Sequence, residues 1–325
     1  MLPDTALPDV VLTPGRPAVL PARPDGDLAT WATNARDALR ALVAEHGAVL
    51  VRGLGLRTAE ECGAVIRAVT DGLTGEQEAF APRQPRADGV WSSTPWPANQ
   101  PMCMHHELSY RLEVPSLLLF ACLHAPERGG STGVADGPTV LAALPADLVA
   151  RFEHEGWLLV RTYTEEIGEP WPQAFGTGDR AAVERYCAAA AITPEWLPDG
   201  GLHTRQRRRA VLPHPVTGRR CWFNQVAFLN EHTLDPEIRE YLVDVYGPER
   251  LPFTTRFGGG DPIGADVVAL LNEVYAAHTL REPWQDGDLL LVDNIRTAHD
   301  REAYTGARDV VAGLADPVRL DAGAQ

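Results

Sequence analysis

The sequence contains no lysine: all 29 of its Lys-or-Arg side chains are arginines. That absence removes whole classes of chemistry. Schiff-base and pyridoxal-phosphate enzymes need an amine nucleophile, and a Walker A phosphate loop needs its lysine. Cysteine is sparse. The five (62, 103, 122, 187 and 221) form no CxxC pair, which argues against a zinc ribbon or a disulfide framework and fits a reducing, cytoplasmic compartment. No apolar run reaches the roughly 18 residues that span a bilayer. The opening MLPDTALPDVVLTPG carries acids and prolines rather than a basic stretch before an apolar one, so no signal peptide is expected. Positive charge is also short: the formal net charge is −15, and such a surface repels nucleic acid and anionic membranes.

What is present is a globular composition, 45% hydrophobic over 325 residues, enough for one large core with insertions. Residues 1–27 are proline-rich and expected to be irregular. Leu28, Trp31, Ala35, Leu39, Leu42 and Val43 recur at helical spacing and Gly47 closes that helix. AVLV (48–51) reads as a short buried strand, and Thr58 with Glu61 forms a capping box that opens a helix over 59–72. Beyond it the pattern turns β-like. Strands are expected at 116–123, 157–163, 221–228, 288–293 and 309–314. Helical insertions are expected at about 139–155, 179–200 and 235–280. The sum is a single domain over 28–325 with a β-rich core.

The segment PMCMHHELSY separates His105 from Glu107 by one residue. On an extended strand alternate side chains share a face, so both reach one metal while His106 points away. His299 lies just beyond the apolar strand DLLLVD. Two imidazoles and a carboxylate on one side of a ferrous ion leave the opposite positions open for a chelating co-substrate and O2. HxE alone is a weak signal that a solvated turn also produces, so the surrounding sequence decides.

That surrounding sequence resembles a known family. TPWPANQPMCMHHELSY, LLFACLHAPERGGSTGVAD and WQDGDLLLVDNIRTAHDREAYTGARDVV are similar, in order, to blocks of the taurine dioxygenase/TfdA superfamily, and more closely to its SyrP-like and clavaminate-synthase-like members. GAVLVRGL (47–54) matches the family's early strand. The resemblance implies an α+β fold whose core is a double-stranded β-helix, or jelly roll, with N-terminal and inserted helices. It implies Fe(II) held by His105, Glu107 and His299, with 2-oxoglutarate and O2 as co-substrates. Halogenating relatives replace the carboxylate by a small residue; Glu107 is present here. The distal carboxylate of 2-oxoglutarate is implied to meet Thr132, in GGSTGVAD, and Arg308, in TGARDVV, where many relatives carry two adjacent arginines and this chain has Arg308–Asp309. A threonine hydroxyl beside an arginine fork suits a carboxylate. Arg301 is the alternative arginine.

Asn99 and Gln100, before the iron pair, and Asn224 and Gln225, in the FNQ block, are candidates for the substrate pocket; each also reads as a loop cap or a paired buried amide. Asp293 and Asn294 are expected to brace the free ring nitrogen of His299. The resemblance implies hydroxylation of an aliphatic C–H in an amino-acid-like substrate, free or tethered to a peptidyl carrier protein, in specialised (antibiotic-type) biosynthesis. The run Arg205, Arg207, Arg208, Arg209 is the candidate carrier-docking patch, with a solvated loop as its alternative. The competing functions are desaturation or cyclisation at the same site, a catabolic dioxygenase of a small sulfonate or carboxylate, and a non-catalytic jelly-roll binding protein. The taurine enzyme's second strand arginine would fall at Ala312 or Gly313, neither of them basic. A homo-oligomer is compatible with the sequence, which does not specify it.

Overall fold

The computed structural model describes residues 7–75, 78, 80, 83–166 and 168–321. Its spine is a seven-stranded sheet in the order Ala18–Pro21, Ala48–Arg52, Leu289–Asp293, Glu113–His124, Asp309–Arg319, Val90–Ser92, Pro85–Ala87. Every pair is antiparallel except the first. A three-stranded sheet faces it, with Thr297–Arg301 between Met102–His105 and Val134–Asp136. Together they make the jelly-roll core. A separate four-stranded sheet (Thr193–Trp196, Leu202–Arg208, Trp157–Tyr163, Phe253–Phe257) flanks it.

Period-two alternation sorts the central strands into two cores. Leu118, Phe120 and Cys122 face inward with Leu290, Val292 and Val310 toward the small sheet. Leu117, Leu119 and Ala121 face the other way with Leu289, Leu291 and Val311. Helices Leu28–His46 and Ala59–Val69 cover that outer face, burying Leu39, Val43, Val65 and Ile66. The capping box is formed: the Glu61 amide donates to Thr58 Oγ1 at 3.2 Å, and the Thr58 amide donates to Glu61 Oε2 at 3.3 Å.

Five expected segments change. The 1–27 segment is not wholly irregular. Ala18–Pro21 pairs parallel to Ala48–Arg52 at the sheet edge, where its proline is tolerated; residues 1–6 lie outside the described residues. The strand expected over 221–228 stops at Trp222, because Asn224 Oδ1 accepts from the Val226 amide at 3.0 Å and turns the chain. The insertion at 139–155 is two helices, Gly137–Ala143 and Ala146–Glu155, broken at Pro145. The insertions at 179–200 and 235–280 are not purely helical, since they contribute strands Thr193–Trp196 and Phe253–Phe257 to the flanking sheet. Among the described residues no helix is long and apolar enough to cross a membrane.

Candidate active site

Strand register builds the first half of the site. His299 and His105 are direct cross-strand partners in the small sheet, so both imidazoles project from one face at one level. Their ring centroids are 4.3 Å apart. Glu107 arrives by a different route from the one its spacing suggests. The strand ends at His105, and Glu107 stands in the following turn, where Leu108 has φ +55°. Asn294 fixes that turn: the Glu107 amide donates to Asn294 Oδ1 at 2.8 Å, and Asn294 Nδ2 donates to Glu107 O at 3.0 Å and Pro115 O at 2.8 Å. Asn294 therefore holds Glu107, not His299 as expected. Asp293 is likewise spent elsewhere. Its carboxylate accepts from His214 Nε2 at 2.9 Å and from the amides of Ile295 and Arg296, shaping the turn that leads into the His299 strand.

His105, Glu107 and His299 are buried. Their ligand atoms lie within 4.8 Å of one another. Glu107 Oε2 is 3.8 Å from His105 Nε2 and 3.7 Å from His299 Nε2. The His105 Nδ1–H donates to Cys103 O at 2.9 Å, leaving Nε2 available to a metal, as a metal-binding histidine requires. His299 Nδ1 is buried without a hydrogen-bond partner among the described residues. His106, just past the strand, points away. Its Nδ1 meets Asn294 O at 3.2 Å, and burial, reinforced by His105, pushes its pKa down to about 3, so it is neutral.

A residue with no sequence signal, Arg83, places its Nη2 2.9 Å from Glu107 Oε1. Burial alone would raise the Glu107 pKa, but Arg83 and the two imidazoles hold it well below the usual carboxylate range. With one oxygen on Arg83, Glu107 presents the other to the histidines. Arg83 sits in a proline-rich stretch without periodicity, so no local pattern pointed to it.

Two cavities meet at His105, Glu107 and Arg83. The narrow one is also lined by His299, Thr132, Arg301, Arg308, Val310 and Ala312. Arg308 Nε donates to Gly130 O at 2.9 Å. Burial, together with the neighbouring Arg301, lowers the Arg308 pKa to about 10. Two desolvated guanidinium groups beside a threonine hydroxyl suit a carboxylate. Of the two, Arg301 is committed to the 96–100 loop, donating to the carbonyls of Trp96, Pro97 and Gln100. Asp309 faces outward and pairs with Arg86 at 2.9 Å.

The wider cavity, about 560 Å³, is lined by Gln225, Gln100, Cys103, Thr94, Thr233 and Asp235 together with a larger set of aromatic and aliphatic side chains. Asn99 lines neither cavity and is exposed. Asn224 lines neither one, because its side chain serves the backbone, donating to Ala210 O at 3.2 Å while it accepts from Val226. Three of the four arginines in the run are engaged within the chain, while Arg209 is exposed. Arg208 is buried on the carbonyls of Tyr110 and Ala190. Arg207 binds Glu155 O and His154 O, and Arg205 pairs with Glu195.

A jelly roll that brings two histidines and a glutamate together at the junction of two cavities has the donor set of a mononuclear metal enzyme. The chain belongs to the TauD/TfdA family: the model for "Taurine catabolism dioxygenase TauD, TfdA family" matches residues 12–314. It is thus a dioxygenase that works with iron and 2-oxoglutarate. Among curated proteins it is 32% identical over 277 residues to the dapdiamide synthesis protein DdaC of Enterobacter agglomerans, covering 85% of this chain and 84% of that one. It is 29% identical over 288 residues to a clavaminate synthase-like protein of Arabidopsis thaliana, covering 85% and 83%. Among solved structures, PvcB of Pseudomonas aeruginosa superposes with a TM-score of 0.53 at 16% identity, over 94% of this chain and 86% of the other. A taurine dioxygenase of Burkholderia xenovorans also gives 0.53, at 18% identity over 96% and 92%. At these identities the two structures speak to the fold.

Proposed function

We propose that His105, Glu107 and His299 hold the ferrous ion, that Thr132 and Arg308 hold the distal carboxylate of 2-oxoglutarate, and that the enzyme hydroxylates an aliphatic C–H of an amino-acid-derived substrate in specialised metabolite biosynthesis. The observation that carries the assignment is the convergence of three buried ligand atoms where the narrow and wide cavities join. The name of the relative DdaC, a dapdiamide synthesis protein, supports the biosynthetic setting.

When bound, iron with 2-oxoglutarate and O2 supplies the oxidant that removes hydrogen from an unactivated C–H. The balance is R–H plus O2 plus 2-oxoglutarate giving R–OH, succinate and CO2. The chain's own side chains set where this occurs. Arg83 occupies one oxygen of Glu107 and leaves the other for the metal. Thr132 and Arg308 fix the co-substrate's far end on the His299 side. Phe228 stacks on His105 at 4.6 Å between ring centroids, holding that ring and keeping water off it. A small-sulfonate role is disfavoured because the second anion-binding arginine of the taurine enzyme would fall at Ala312 or Gly313, neither of them basic.

Purified protein with Fe(II), 2-oxoglutarate and O2 is expected to form succinate. His299→Ala is expected to lose both this turnover and tight metal binding. Equal turnover and equal metal affinity in the two proteins would remove the assigned centre.

A further inference from the structure

The walls of the wide cavity are unlike those that a small hydrophilic amino acid would need. Phe80 packs edge-on against Tyr110 at 5.2 Å and against Phe253 at 5.8 Å between ring centroids. Phe228, stacked on His105, also contacts Trp96 at 6.0 Å. All five rings line the cavity. Interlocked rings resist collapse, so the space persists without a ligand. At about 560 Å³ it falls within the roughly 300–1,000 Å³ that holds drug-sized molecules.

One polar group in that wall has no partner. Gln225 is 4% exposed, and its Oε1 is buried with no hydrogen bond among the described residues. An unpaired buried amide oxygen calls for a partner, and the cavity that Gln225 lines is where a ligand would supply one. The wall is rigid at this point. Asn224 anchors one side of Gln225, while Asn230 donates to Thr255 Oγ1 at 2.8 Å beyond Leu229. Thr255 Oγ1 in turn donates to Val226 O at 2.8 Å.

Building on the oxygenase reading above, we propose that this cavity takes an amino-acid-derived substrate with a large apolar side chain, aromatic or branched aliphatic, and that Gln225 hydrogen-bonds the amide group it carries. The side chain lies among the Phe80, Phe228 and Phe253 rings. His105 and Glu107 close the inner end of the cavity, and the C–H to be oxidised faces that end.

The test uses the full-length protein loaded with Fe(II) and 2-oxoglutarate. Its probes are N-acetyl-phenylalaninamide and N-acetyl-leucinamide, against N-acetyl-serinamide, N-acetyl-aspartate and taurine. Without O2, binding is read by quenching of tryptophan fluorescence; with O2, by succinate formed above the substrate-free rate. The apolar amides are expected to bind at least about tenfold more tightly than the other three. Gln225→Leu is expected to weaken them about tenfold while raising KM more than it lowers kcat. Leu234→Arg, at a half-buried position in the same wall, is expected to shift preference toward N-acetyl-aspartate, and it stands as the test should Gln225→Leu fail to fold. Preference for the hydrophilic probes, no binding of either apolar amide, or undiminished binding in a folded Gln225→Leu protein overturns the proposal. Absence of any succinate, with or without probes, instead overturns the oxygenase assignment beneath it.

Discussion

At the scale of single residues, the charge arithmetic around Glu107 decides what its neighbours do. A buried carboxylate between two imidazoles is tolerable because Arg83 is in contact with it. Removing one partner of a buried ion pair leaves an uncompensated charge and costs about 3–5 kcal/mol. Arg83→Met is therefore expected to destabilise the metal-free protein by about 3 kcal/mol in urea titrations. The deficit should shrink when Fe(II) is present, because the metal replaces the lost cation beside Glu107. An equal loss with and without metal would contradict that role. The HxE spacing correctly paired His105 with Glu107 but for an incomplete reason. His106 does turn away, but past the strand end, with its ring against Asn294 O. Glu107 itself is placed by a turn held by Asn294, 187 residues further along the chain, and a contact of that separation has no local signature.

At the scale of elements, turns and caps aim the site. Asp136 caps the helix Gly137–Ala143 through the Thr139 amide, and its carboxylate also accepts from Arg296 Nε at 2.6 Å. Burial would raise its pKa, yet Thr139 and Arg296 hold it below the ordinary 3.8. A carboxylate lowered in the folded state adds stability above its unfolded pKa and loses it as pH falls through the folded value. Asp136→Ala is thus expected to cost about 2 kcal/mol near pH 7. The gap to wild type should narrow as pH is lowered from 5 toward 3 (roughly the window set by the ordinary carboxylate value), measured by chemical denaturation across pH. The loop before Thr132 has its own constraint. Gly130 sits at φ +69°, and a Cβ there would meet Pro126, Tyr304 and Arg308 at 2.8–3.2 Å. Gly130→Ala should strain the backbone and displace Arg308, raising the apparent KM for 2-oxoglutarate about tenfold in a co-substrate titration. An unchanged KM would separate Arg308 from the co-substrate. Helices and buried strands were largely legible because each satisfies a local period. The 221–228 segment misled because its apolar content is strand-like, whereas the Asn224 side chain bends the chain and turns Gln225 and Phe228 into the cavity.

At the scale of the whole molecule, the site lies between two sheets drawn from distant parts of the sequence, so occupancy should report on global stability. Ligands that bind the folded state alone stabilise it by about 2.7 kcal/mol at a free concentration a hundredfold above Kd. Fe(II) with 2-oxoglutarate, kept anaerobic, is expected to raise the melting temperature of the wild-type protein by several degrees, and that of His299→Ala far less. A matching rise in both would place the binding elsewhere. Taken alone, the sequence determined the residue types that chelate iron, the order of the family's motif blocks, the apolar strands and the chemistry excluded by the missing lysine. These follow from composition and short-range spacing. The tertiary structure decided the rest: that Arg83 backs Glu107, that Arg308 faces the narrow cavity while Arg301 is spent on a loop, that Asn99 and Asn224 stand outside the pocket, and that Arg205, Arg207 and Arg208 of the arginine run are tied down. Each of those outcomes depends on which carbonyl or carboxylate lies within about 3 Å of a side chain once the sheets have stacked, and no spacing along the chain encodes that distance.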